Sequence, residues 1–101
     1  MRLYDAAKVI RSKNAGPFTL TIDLMFGDRA GFDAVLGSPA FTAERIGALY
    51  SVAGSAVRIC PFERVLTIKV SMPRPGASSG APGDRDVYGS QQHFPLADLD
   101  I

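Results

Sequence analysis

Two polar, glycine-punctuated segments hold most of the side chains in this chain that could do chemistry. The first is Arg11-Ser12-Lys13-Asn14-Ala15-Gly16-Pro17-Phe18. It sets two cations and two hydrogen-bonding groups before a Gly-Pro turn. A guanidinium fork, an ammonium and loop amides together can hold a carboxylate or phosphate. The competing reading is a solvated turn in which Asn14 and Gly16 supply special backbone angles. The second segment is Gly83-Asp84-Arg85-Asp86-Val87-Tyr88-Gly89-Ser90-Gln91-Gln92-His93. His93 is the single histidine, and an unperturbed imidazole can move a proton near neutral pH. It could equally be a surface or hydrogen-bonded core residue. Asp84 and Asp86 with His93 could hold a hard metal. However, Asp-x-Asp without the fixed glycine and distal glutamate is no EF-hand, and Gly80-Ala81-Pro82-Gly83 lacks the Gly-Lys-Ser/Thr of a phosphate loop. We expect no metal and no cofactor.

Composition narrows the setting for these groups. A chain of 101 residues, 47% apolar and 21% charged, fits one small domain, spanning residues 1–101. Such a chain buries roughly 60–70% of its unfolded surface. The 11 basic and 10 acidic residues leave a net charge of +1. That argues against binding nucleic acid by general electrostatic attraction. The one cysteine, Cys60, excludes an internal disulfide framework and a cysteine-based zinc site. Flanked by Ile59 and Pro61, it reads as a small core residue, and a lone thiol fits a reducing compartment. No apolar run approaches the ~18 residues of a spanning helix, and the first residues lack a signal-peptide layout. A cytoplasmic protein that does not enter membranes is expected.

The elements that must position the two segments are legible from periodicity. Phe18, Leu20, Ile22, Leu24 and Phe26 alternate with Thr19, Thr21 and Asp23, the period-2 pattern of a strand with one buried face. Leu66, Ile68, Val70 and Met72 repeat it against Thr67, Lys69 and Ser71. Two such strands imply an antiparallel or mixed sheet with one side open. Between them lie two helices. Asp28 can cap the first, Phe32, Val35 and Leu36 form its stripe, and Gly37 ends it. Thr42 caps the second, with Phe41 and Ile46 as a hydrophobic staple, and Ile46, Leu49 and Tyr50 facing the core. Gly54 lies just past its end. Val57 to Cys60 forms a short strand halted by Pro61. Residues 2–11 fit either a helix on Leu3, Ala7 and Ile10 or a strand turning through Asn14-Ala15-Gly16-Pro17 into the next, and we favour the strand. Residues 73–86 form a loop, and Leu96, Leu99 and Ile101 dock the tail.

The stretch from Asp5 to Phe18, with Pro73-Arg74-Pro75 and the segment from Gly83 to His93, resembles the bacterial family of domain of unknown function 4387. The resemblance spans nearly the whole chain. It implies a companion of AtuA-like (acyclic terpene utilisation) proteins, encoded beside or joined to them. Those proteins end in a ferredoxin-like domain, whose Arg-Ser-Gly-Asp-Lys-Gly motif is similar in character to Arg11-Ser12-Lys13-Asn14-Ala15-Gly16. Its later Asp-x-x-Gly is echoed by Asp86-Val87-Tyr88-Gly89. Lys13 and Asn14 depart from that motif's residue types.

The expected fold is therefore α+β, a ferredoxin-like antiparallel sheet with two helices on one face. The expected role is a small subunit, partnered by an AtuA-like large protein and forming homo-oligomers. It would bind an anionic small molecule in organic-acid or acyl-thioester metabolism. Arg11, Ser12, Lys13, Asn14, Gly16, Asp84, Gln91 and Gln92 would bind the substrate. His93, Asp86 and Tyr88 would be catalytic. The alternative is a non-catalytic assembly module, and a third option is a stand-alone small-ligand sensor.

Overall fold

The structure is a computed structural model that describes residues 1–14, 19–73 and 94–101. Among these residues, four α-helices and four strands follow in the order α1 (Leu3–Ala6), β1 (Val9–Asn14), β2 (Thr19–Met25), α2 (Arg29–Leu36), α3 (Ala43–Tyr50), β3 (Arg58–Phe62), β4 (Thr67–Pro73) and α4 (Phe94–Ala97). The strands form one antiparallel sheet in the order β1-β2-β4-β3. Two hairpins are thus joined by a crossover through α2 and α3. The fold is α+β. This order is compatible with a ferredoxin-like sheet: it arises when a β-α-β-β-α-β chain is entered at its second strand.

Residues 2–11 divide between both readings, since the short α1 precedes β1 and the strand begins at Val9. β4 alternates as expected, whereas β2 departs from the expected single buried face: lying between β1 and β4, it buries Thr21 and Asp23 as well as its apolar residues. Leu20, Ile22 and Leu24 of β2 and Ile68 and Val70 of β4 are wholly buried beneath Phe32 and Val35 of α2 and Ile46 of α3. Asp28 caps α2 by accepting from the Gly31 N–H at 2.8 Å, and Thr42 caps α3 by accepting from the Arg45 N–H at 3.2 Å. Both staple residues, Phe41 and Ile46, are buried.

Three local expectations are corrected. Leu49 is 41% exposed, because the inward face of α3 runs through Ile46, Gly47 and Tyr50 instead. Pro61 does not halt β3, which continues to Phe62. β3 is an edge strand, and an edge accommodates a proline whose missing N–H costs the ladder nothing. Cys60 is exposed, not core, since β3 turns Ile59 toward the helices and Cys60 away from them.

The segment 94–101 docks as expected. Leu96 is fully buried, and its N–H donates to the Tyr50 hydroxyl at 3.3 Å. The Leu3 N–H donates to the Leu99 carbonyl at 2.8 Å. Burial pushes the Tyr50 phenol up to about 12. The folded state therefore favours the neutral phenol. Its contribution is complete below pH 10, the ordinary tyrosine value, and is lost as pH rises through about 12. The unfolding free energy from urea titration should fall more steeply from pH 10 to 12 in the wild type than in Tyr50→Phe, by on the order of 2 kcal/mol. Parallel declines would show that the phenol titrates normally. Among the described residues, no helix is long and apolar enough to cross a membrane.

Candidate anion-binding face

The helices cover one side of the sheet, and strand pairing fixes what the other side presents. Residues paired across an antiparallel ladder share a face, so the register lays three four-residue rows across this side, with the Thr19–Pro73 pair beyond them at the rim. The middle row runs Arg11, Asp23, Lys69, Cys60. Toward the rim where β2 begins, the next row runs Lys13, Thr21, Ser71, Arg58. On the other side lie Val9, Met25, Thr67 and Phe62. Four cations and one carboxylate give the open face a formal charge of +3, although the whole chain carries +1. The remainder of the chain is thus net negative, and the cations are concentrated where they can act together.

Asp23 is the centre of this face. Its side chain is 8% exposed, whereas that of Arg11 beside it is 61% exposed. The Arg11 Nε–H donates to Oδ2 at 3.5 Å, the long limit of a hydrogen bond. Oδ1 is buried and, among the described residues, has no hydrogen-bond partner. Buried carboxylate oxygens are almost always paired, and leaving one unpaired costs about 1–3 kcal/mol. Among the described residues, neither Lys13, Arg58 nor Lys69 is in an ion pair.

A depression of about 490 Å³ opens on this row. It is lined by Arg11, Asp23 and Lys69 and, in and beside the neighbouring row, by Met25, Thr67, Phe62 and Val65. Its size falls within the range of small-molecule sites, as does its combination of apolar lining and a few polar groups. A smaller depression of about 240 Å³ at the rim is lined by Thr19, Arg58, Ser71 and Pro73, among others.

The expected site residues are divided by the fold. Arg11 and Lys13 lie in β1 and not on a loop, and both project from the open face. Strand alternation sends Ser12 to the helix side, opposite Ile22, where it is 6% exposed. Asn14 is the last residue of β1, paired with Leu20. Gly16, Asp84, Asp86, Tyr88, Gln91, Gln92 and His93 lie outside the described residues. β1 ends at Asn14, and β2 begins at Thr19, which pairs with Pro73 at the end of β4.

Sequence reasoning placed Asp23 and Lys69 on the open face without assigning them to the site, and it missed Arg58 and Phe62. The phase of the β3 alternation was the signal for the last two. Among the described residues, no group of three or more His, Cys, Asp or Glu side chains could hold a metal ion.

The family described as domain of unknown function (DUF4387) matches residues 3–100 of the chain. No curated protein and no solved structure matches it.

Proposed function

The chain belongs to the DUF4387 family of domains of unknown function, and from that premise we infer that it is a small subunit holding an anionic substrate group on its open sheet face. We place it in a cytoplasmic complex with an AtuA-like large protein, acting on organic acids or their thioesters. His93, with Asp86 and Tyr88, is the proposed acid–base group on residue chemistry alone. The observation that carries the reading is the concentration of Arg11, Lys13, Arg58 and Lys69 around the one carboxylate of Asp23.

The exposed apolar side chains Val9, Phe62 and Val65 on or beside this face favour a second reading, a non-catalytic module that docks on a partner or a second copy. Co-purification with the large protein, followed by assay of the complex, tests the pairing. Complex formation with activity indifferent to Lys13→Ala and Lys69→Ala would select the assembly reading.

Substitutions at the two β1 cations should separate binding from stability. Lys13→Ala should weaken binding of a carboxylate probe roughly tenfold while changing stability by no more than about 0.5 kcal/mol. Arg11→Ala removes the one donor that the described residues supply to a buried carboxylate and should also cost about 1–3 kcal/mol of stability. Calorimetric titration beside thermal unfolding checks both, and unchanged affinity in both variants would overturn the anion site.

A further inference from the structure

The depression against Asp23 carries more information than its charge. Arg11 and Lys69 flank one carboxylate there, leaving a local charge of +1 that suits a monoanion. The unpaired Oδ1 calls for a hydrogen-bond donor. That donor is neutral, because a cation would meet two cations at close range. Beside the charged row, Phe62 and Val65 are 49% and 67% exposed, apolar surface that a hydrocarbon chain would cover.

We propose that this depression binds a hydroxylated fatty-type acid: a monocarboxylate seated on Arg11 and Lys69, a nearby hydroxyl donating to Asp23, and an alkyl tail along Met25, Phe62 and Val65. Arg11 Nε and Asp23 Oδ2 are 3.5 Å apart, so a carboxylate on the guanidinium and a hydroxyl on Asp23 would be separated by one or two carbons. Oδ1 has almost no accessible surface, so a donor reaches it when a neighbour gives way. Arg11, largely exposed and held on Oδ2 by a single long contact, is free to shift while keeping its charge beside the site. The proposal rests on the reading of this face as an anion site and narrows its ligand class.

Titrating the full chain with hexanoate and with β-hydroxyhexanoate, followed by backbone amide shifts, tests it. Both should perturb the amides of Arg11, Asp23, Thr67 and Lys69, and the hydroxy acid should bind roughly tenfold tighter, as expected for a hydrogen bond to a charged acceptor. Asp23→Leu should abolish that preference while hexanoate still binds. Asp23→Asn, the conservative variant, should shrink it, and the wild-type comparison alone decides if neither variant folds. Equal affinities on this face would overturn the hydroxyl assignment and leave the anion site standing. Shifts confined to the helix side, or no binding of either acid, would overturn the anion site as well.

Discussion

Phe32→Ala is expected to destabilise the protein by about 3–5 kcal/mol, a large part of the total of about 5–15 kcal/mol typical of a domain. Phe32 is fully buried. Its ring meets Phe26 edge to face, with centroids 6.0 Å apart and planes at 87°. The Arg29 guanidinium lies 5.6 Å from its centre. Truncation removes the ring contacts and leaves a cavity where α2 meets the sheet, and a close-packed interior relaxes only partly into such a space. The urea midpoint should fall with its slope unchanged. A loss below about 1 kcal/mol would mean that α2 is not part of the cooperative core. Phe32 underlies the sheet on the side away from Arg11 and Lys69, so carboxylate binding per folded molecule should persist.

Gly47→Ala should also destabilise, by about 2–3 kcal/mol, although the same change at an exposed helical site stabilises by about 1 kcal/mol. A methyl group on Gly47 would sit 2.6 Å from the Val52 carbonyl oxygen and 3.1 Å from the Gly54 nitrogen. Both are backbone atoms that cannot swing aside. Gly54 in turn lies against Glu44, where its own added carbon would approach the Glu44 Cα to 3.0 Å. The two glycines let the α3 backbone close onto the chain that follows it. Thermal unfolding should show a lower midpoint for Gly47→Ala, and a raised one would show that the close approach relaxes freely.

This contact also explains part of what sequence reading missed. The stripe of Ile46, Leu49 and Tyr50 was drawn from apolar residues alone. The helix instead turns its glycine inward, which leaves Leu49 outside. Local chemistry was legible where neighbours along the chain determine it: the Asp28 and Thr42 caps, the Phe41–Ile46 staple and the period-2 burial of β4, but not the burial of Thr21 and Asp23 on the other face of β2. What depends on strand partners was not legible. Pro61 reads as a stop until β3 is known to be an edge, and Cys60 reads as core until the phase of β3 is fixed. Arg11 and Lys13 read as loop residues because the Gly-Pro turn beyond them dominates the local signal. That Arg11 sits over Asp23 is a matter of register, which no window of sequence contains. The chemistry from Asp84 to His93 lies outside the described residues.

The proline in β3 gives the sheet a direction of growth. An added strand needs a row of donors and acceptors, and Pro61 removes a donor from the β3 edge. The β1 edge, Val9–Asn14, contains no proline and, among the described residues, has a neighbour on one side only. A strand from a second copy or another protein is therefore better accommodated beside β1. It would arrive next to Arg11 and Lys13, so that extending the sheet would also enlarge the charged platform.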